Sequence, residues 1–114
     1  MDSIIRSVCE EFSKGNPNFG IEFLSDDVRW HLVGEQTVVG IENVKRRSDA
    51  GAMMGFPTFT ISTTIADDNR LVLQGSGVSK SDGGEQMHQF CDIFLVKEGK
   101  VAEITSYFIT SPRK

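Results

Sequence analysis

The chain has 114 residues and a formal net charge of −4, and 39% of its residues are hydrophobic and 25% are charged. This length and ordinary composition predict one globular domain over residues 1–114 rather than a disordered chain. The acidic balance argues against a nucleic-acid partner, since the only basic cluster, Lys45-Arg46-Arg47, is typical of a solvated helix face.

The early part of the chain predicts two helices and one strand. Residues 3–14 carry apolar side chains at helical spacing, and Ser3 is the predicted cap. After a stop at residues 15–18, residues 19–24 predict a short second helix. Residues 28–33 then alternate as a strand, with Trp30 on one side and His31 on the other.

A third helix and four long strands follow. Residues 37–39 either pair as a strand or simply connect, and the third helix runs from Ile41 to about Ala50. Residues 51–57 form an apolar loop or a fraying helix end. Tight turns join strands predicted over 58–66, 71–80, 85–96 and 101–109. Early helices before a meander of strands predict an α+β fold, with about three helices on the concave face of a curved antiparallel sheet.

Asp92, in the third of these long strands, points to a pocket. It lies within the apolar run of residues 90–96, where alternation places His88 and Phe90 on its side of the strand. A carboxylate removed from water is costly unless it is paired, hydrogen-bonded or protonated. We therefore interpret Asp92 as lining a hollow inside the domain. The alternative is a satisfied polar pair within the core, between Asp92 and either His31 or His88.

Both faces of the same strand are mostly apolar toward its end. An antiparallel sheet usually leaves one face in water, and three short helices can cover only one face. We expect a second copy of the chain to cover the other face, which predicts a homodimer through the sheet.

The two cysteines, Cys9 and Cys91, are interpreted as free thiols, because they are far apart and fall in a helix and a strand. The N-terminal residues lack the charged-then-apolar order of a signal peptide. No apolar run approaches the roughly 20 residues of a membrane span. We therefore expect a cytoplasmic protein with no membrane partner.

Three stretches carry a resemblance to a known superfamily: Leu24-Ser25-Asp26-Asp27-Val28-Arg29-Trp30, the glycine before the third helix, and residues 94–104. With the order of helices and strands, they make the chain resemble the nuclear transport factor 2-like superfamily. Within it, the SnoaL-like polyketide cyclases and the ketosteroid isomerase-related proteins are the most similar groups. The resemblance implies a cone-shaped fold with a cavity at its wide end and dimers through the outer face of the sheet.

The resemblance also implies roles for single residues. Asp92 matches the acidic oxyanion-hole residue of ketosteroid isomerases, which stays protonated in an apolar site. Their catalytic base falls at His31, and their first-helix tyrosine falls at Val8, which cannot donate a hydrogen bond. Steroid isomerisation by that mechanism is therefore not implied. Limonene epoxide hydrolase chemistry is excluded, because its charged residues are replaced here by Gln74, Ser76 and Ser106.

The predicted catalytic residues are Asp92 and His31, which together would remove a proton next to a carbonyl and stabilise the enolate. Scytalone dehydratase-like enzymes use two histidines and an aspartate, a set that His88 completes by type. Tyr107 could place its hydroxyl in the cavity or pack at a dimer face, and Trp30 could be core or a ligand platform. The predicted substrate-binding residues are His88, Tyr107, Trp30, Met53, Met54, Phe56, Phe59 and Phe90.

Two functions remain open from the sequence. The first is an enzyme without a cofactor or metal, acting as an isomerase, cyclase or dehydratase on a small apolar, carbonyl-bearing molecule. The second is a non-catalytic ligand-binding or dimerisation module on the same fold, because a fold does not determine a function.

Overall fold

The structure is a computed structural model, and it describes residues 1–53, 59–81 and 84–111. Its elements in chain order are α1 (Ser3–Ser13), a 3-10 turn (Ile21–Phe23), β1 (Leu24–Leu32), β2 (Gln36–Val39), α2 (Ile41–Met53), β3 (Thr60–Ala66), β4 (Arg70–Ser81), β5 (Gly84–Lys97) and β6 (Lys100–Thr110). The predicted α+β class is confirmed.

One six-stranded sheet has the order β2-β1-β6-β5-β4-β3. Strands β3 to β6 form the predicted antiparallel meander, but β1 pairs with β6 in the parallel direction, so the sheet is mixed. The prediction of a wholly antiparallel sheet is wrong at this one pair. Turn signals fix the direction of consecutive strands, whereas β1 and β6 are far apart in the chain. Register shifts within three of the pairings bend the sheet.

The helices differ from the prediction at two points. Asp2, rather than Ser3, caps α1, because its carboxylate accepts the backbone N–H of Ile4 at 2.7 Å. The predicted helix over residues 19–24 is wrong: only the 3-10 turn forms there, since β1 already begins at Leu24. The described residues thus hold two α-helices rather than three, and residues 37–39 belong to a paired strand, β2.

The core lies between the helices and the inner face of the sheet. The alternation of the strands sends one set of side chains inward, and both helices contribute their apolar stripes. The fully buried side chains include Leu24, Val28, Val44, Leu71, Leu73, Phe94, Val101 and Ile104.

The outer face of the sheet keeps several apolar side chains exposed. Val78, Met87 and Ile109 lie there on neighbouring strands, at 44%, 48% and 62% exposure. This matches the apolar character expected of both faces of β5, and the homodimer stays a prediction. Within the described part of the chain, none of the helices has the length and apolar character needed to cross a membrane. The cytoplasmic location also stays a prediction.

Gly75 on β4 is a position where the sheet leaves no room for a side chain. A Cβ added there would lie 2.6 Å from Cε2 of Phe90 and would overlap the carbonyl oxygen of Thr60. The absence of a side chain therefore lets the Phe90 ring lie across β4 while β3 shifts its register beside it.

We expect Gly75→Ala to lower the free energy of unfolding by about 2–3 kcal/mol, at the upper end of overpacking costs, because the Thr60 carbonyl cannot rotate away. Urea denaturation followed by circular dichroism measures the change. Ser76→Ala, on the next residue of the same strand, is the matched control and should stay within about 0.5 kcal/mol of wild type. Equal midpoints for the two variants would contradict the tight packing at Gly75.

Candidate functional site

A cavity of about 360 Å³ lies between α1, α2 and the inner face of the sheet. This volume is at the small end of the range for sites that bind small molecules. Aromatic side chains supply much of its wall: Phe12, Trp30, Phe59, Phe90 and Phe108. The polar residues that line it come from α1, α2, β5 and β6 and the turn after β1: Ser13, Glu35, Arg47, Ser48, Asp92 and Ser106.

The aromatic wall is held by edge-to-face contacts. Phe12 lies 4.8 Å from Trp30 and 5.8 Å from Phe94, measured between ring centroids. Phe59 lies 5.3 Å from Phe90 and 5.7 Å from Phe108. Such pairs fix ring orientations beyond simple burial, so the wall is set by the protein before any ligand binds.

Asp92 lies within β5 and is only 6% exposed. Its strand is paired on both sides, with Leu73 of β4 and Ser106 of β6 as its direct neighbours. The hydroxyl of Ser13, at the end of α1, donates a hydrogen bond of 2.7 Å to Oδ2 of Asp92. The carboxyl is therefore both part of the cavity wall and held by a helix and a strand.

Burial raises the pKa of Asp92 to about 6, and hydrogen bonds from Ser106 and Ser13 oppose part of this rise. At pH 7 the group is mostly ionised but is a stronger base than an ordinary aspartate. A carboxyl with a pKa near neutrality is suited to accept a proton and to return it.

The partners of Asp92 are themselves held in place. The indole Nε1–H of Trp30 donates a hydrogen bond of 2.8 Å to the hydroxyl oxygen of Ser106. This occupies a lone pair of that oxygen and leaves the Ser106 proton free to point at the carboxyl of Asp92. The chain of polar contacts from Trp30 through Ser106 to Asp92 and Ser13 thus joins β1, β6, β5 and α1.

His31 does not meet Asp92, so the prediction that both side chains point into one cavity is wrong. Its Nδ1 lies 3.1 Å from the hydroxyl of Thr37, and its Nε2 lies 4.0 Å from Oε1 of Glu103. These neighbours lie on the outer face of the sheet, because Trp30 takes the inward position on β1. A catalytic role shared by His31 and Asp92 has no geometric support.

His88 is buried but does not line the cavity. Its Nε2 lies 2.7 Å from the hydroxyl of Ser79, its Nδ1 lies 3.0 Å from that of Thr110, and its ring stacks on Phe108 at 5.4 Å. It lies four positions before Asp92 on the same strand, a span of about 13 Å. Both nitrogens have partners, so His88 supports the cavity wall through Phe108 rather than facing a ligand.

The other predicted binding residues have mixed outcomes. Trp30, Phe59 and Phe90 line the cavity. Tyr107 contributes to the wall between Ser106 and Phe108, but it pairs with Cys91 on the outward side of its strand and is 45% exposed. Three predicted residues or side chains lie outside the part of the chain that the structure describes: the side chain of Met53, and Met54 and Phe56.

Sequence reasoning missed several cavity residues. Ser13 and Ser106 gave no signal, because single serines are common on helices and strands. Arg47 did have a signal in the sequence, because it shares a stripe of α2 with Ile41 and Val44, and this stripe faces the core. The structure places Arg47 at the cavity, so the interpretation of Lys45-Arg46-Arg47 as a wholly solvated face is wrong for its last member.

A second, larger groove of about 690 Å³ is less suited to chemistry. Charged side chains dominate its lining, among them Asp27, Arg29, Lys97 and Glu98, and these are exposed. Among the described residues, no group of three histidine, cysteine or acidic side chains could hold a metal ion. The cavity around Asp92 is therefore the candidate site.

Comparisons with known proteins place this arrangement in a family. The family model for the SnoaL-like domain matches residues 5–104, which confirms the resemblance drawn from the sequence. No curated protein sequence matches this chain.

Solved structures share the fold. A nuclear transport factor 2-like (NTF2-like) protein of unknown function from Cytophaga hutchinsonii ATCC 33406 is 25% identical, with a TM-score of 0.87 over 96% of this chain and 99% of its own. An NTF2-like protein of unknown function from Burkholderia pseudomallei K96243 is 16% identical, with a TM-score of 0.74 over 93% and 88%. A protein provisionally assigned as a SnoaL-like polyketide cyclase, from Jannaschia sp. CCS1, is 18% identical, with a TM-score of 0.73 over 95% and 89%.

The raised pKa of Asp92 makes stability depend on pH. The folded state holds this proton more tightly than the unfolded chain does. The stabilisation that protonated Asp92 gives to the folded state is therefore full below pH 4 and is lost as the pH rises through about 6. An amide in place of this carboxyl cannot ionise and can still accept from Ser13. We therefore expect the stability of Asp92→Asn, relative to wild type, to rise by about 2–3 kcal/mol between pH 4 and pH 7.5.

Chemical denaturation at several pH values measures this difference. Asp68→Asn, in the exposed turn after β3, is the matched control, and its curve should run parallel to that of wild type. A constant difference between Asp92→Asn and wild type across this range would mean that the carboxyl is not desolvated in the folded protein.

Proposed function

The chain belongs to the SnoaL-like domain family, and we propose that its cavity binds a small carbonyl-bearing molecule on which Asp92 performs proton transfer without a cofactor. The observation that carries the proposal is Asp92 itself: a carboxyl 6% exposed, in an aromatic cavity, with its pKa raised to about 6. The class of reaction is isomerisation, cyclisation or dehydration next to a carbonyl.

The proposed step starts with ionised Asp92. Its carboxylate takes a proton from the carbon next to the carbonyl, and the electron pair of the C–H bond moves to the carbonyl oxygen, giving an enolate. Asp92 then returns the proton to the enolate oxygen or to a different carbon of a conjugated enolate, which completes an isomerisation. In a cyclisation, the enolate carbon instead attacks a second carbonyl of the same molecule, and the alkoxide that forms takes the proton from Asp92. The apolar surroundings strengthen the base, because they solvate its charge poorly.

The enolate oxygen needs a hydrogen-bond donor. Ser48, on the cavity-facing stripe of α2, is suited to this role: its hydroxyl lines the cavity and has no hydrogen-bond partner among the residues described. By contrast, the hydroxyls of Ser13 and Ser106 are occupied by Asp92. Donors aimed at developing negative charge are a large source of rate enhancement in enzymes.

Binding without catalysis is the second candidate. The observation in its favour is that, among the cavity-lining residues the structure describes, no histidine accompanies Asp92. Asp92 alone would then have to take the proton from one atom of the ligand and deliver it to another. This arrangement suits an isomerase with a single base, but it equally suits a receptor for a small hydrogen-bonding ligand.

Deuterium exchange at the methyl group of acetophenone in heavy water separates the candidates. We expect the wild type to exceed Asp92→Asn by at least about 100-fold, the lower range for general base catalysis. Because the ionised form is the base, the rate should climb with pH, reach half of its maximum near pH 6, and level off about one pH unit above that. Proton NMR follows the loss of the methyl signal.

The control is His31→Gln, which changes a group on the outer face of the sheet and should leave the exchange rate unchanged. Equal exchange rates for wild type and Asp92→Asn, with acetophenone still bound, would favour the receptor and count against the enzyme.

A further inference from the structure

Arg47 occupies an unusual position for an arginine. It lies on the face of α2 that includes Val44, Ser48 and Gly51, of which Val44 is fully buried and the other two line the cavity. Its neighbours on the helix are engaged elsewhere: Lys45 binds Asp49 at 2.7 Å, and Arg46 binds Asn43 at 3.0 Å. Arg47 is thus the cation of this helix that is presented to the cavity.

The ion pair of Arg47 is weak. Its Nη2 lies 3.5 Å from Oε1 of Glu35, and no other partner is found for it among the described residues. The Glu35 side chain is 55% exposed, whereas that of Arg47 is 30% exposed. A long pair with one partner largely in water contributes little to stability, and most of the five guanidinium N–H donors remain available.

The cavity therefore has two polar regions within an aromatic wall. Asp92 lies in its buried part, and Arg47 with Glu35 lies in its more exposed part. Rings such as Phe12, Trp30 and Phe90 offer faces and edges to a flat apolar body. A guanidinium beside such a body recognises a planar anion best, because its parallel N–H groups match the two oxygens of a carboxylate.

We propose that the ligand is an aromatic carboxylic acid, whose carboxylate displaces Glu35 from Arg47 while its ring packs among the cavity aromatics and its reactive carbonyl lies next to Asp92. This inference rests on the proposed function and adds the class of substrate to it. Glu35 then acts as an internal stand-in for the ligand carboxylate, which keeps Arg47 oriented when the cavity is free.

Two probes of equal shape test this inference: 4-acetylbenzoate, which is anionic, and 4-acetylbenzamide, which is neutral. Trp30 is the sole tryptophan and lines the cavity, so its indole signal in nitrogen–proton NMR spectra reports binding of either probe. At pH 7.5 we expect the acid to bind the wild type at least about tenfold more tightly than the amide, as charge-assisted hydrogen bonds would give.

Arg47→Met should remove this preference and leave the affinity for the amide unchanged. Glu35→Gln should strengthen binding of the acid a few-fold, because the competing carboxylate is gone. Arg46→Met, which removes the same charge from the next position of the helix, is the matched control and should keep the preference. The Trp30 signal in the ligand-free variants checks that each remains folded.

The outcomes separate this inference from the function on which it rests. A preference for the acid that persists in Arg47→Met, or equal binding of both probes by wild type, would overturn the aromatic-acid inference. Exchange of the amide's acetyl protons that depends on Asp92 would leave the proposed function standing in that case. A Trp30 signal that neither probe shifts would likewise overturn the aromatic-acid inference, and the proposed function would then depend on the exchange of acetophenone alone.

Discussion

The burial of one carboxyl group between two serine hydroxyls is the constraint on which the site depends. Asp92 has left water, and its remaining partners are the hydroxyls of Ser13 and Ser106. Two neutral hydrogen bonds compensate an ionised carboxylate only partly, which is why its pKa stays raised. The same bonds tie the end of α1 to β5 and β6, so the group that needs solvation also fixes the helix above the sheet.

Placement on β5 gives this carboxyl a rigid support. The strand is paired along its length with β4 and β6, and direct cross-strand neighbours hold Asp92 on both sides. Trp30 then locks the hydroxyl of Ser106 from β1, the next strand beyond β6. A proton-transferring group must keep its position relative to the reacting atom, and a central strand with a supporting layer of hydrogen bonds provides this better than a loop does.

Most of the fold and about half of the site could be predicted from the sequence. The alternation of side chains along β5 correctly predicted that Asp92 and Phe90 point inward. With a period of two residues, both must lie on the same face as Phe94, which is in the core. The same rule applied to β1 puts Trp30 inward and His31 outward. The prediction for His31 failed because the resemblance assigned it the position of a catalytic base, against the pattern of its own strand.

Other features lay beyond local patterns. The parallel pairing of β1 with β6 joins strands that no turn connects. Within residues 19–24, Phe19 and Leu24 are apolar because they reach the core, not because the segment forms a helix. The hydroxyl of Ser106 comes from β6, the next strand after β5, where it pairs directly with Asp92, but that of Ser13 comes from α1, 79 residues away in the chain. A buried acid can be inferred from its own strand, but a partner such as Ser13 depends on how distant segments pack.

The free-energy cost of burying the Asp92 carboxylate favours a functional role for this residue over a purely structural one. If the role of this position were only to join α1 to the sheet, a neutral amide or an apolar side chain of similar size would do so without placing a charge in the core at neutral pH. Its two hydroxyl partners lower that cost but do not remove it, since burial still dominates the pKa. Proton transfer requires a carboxyl group that has a pKa near neutral pH, lines a cavity and is held in place by its surroundings. Packing alone requires none of these properties.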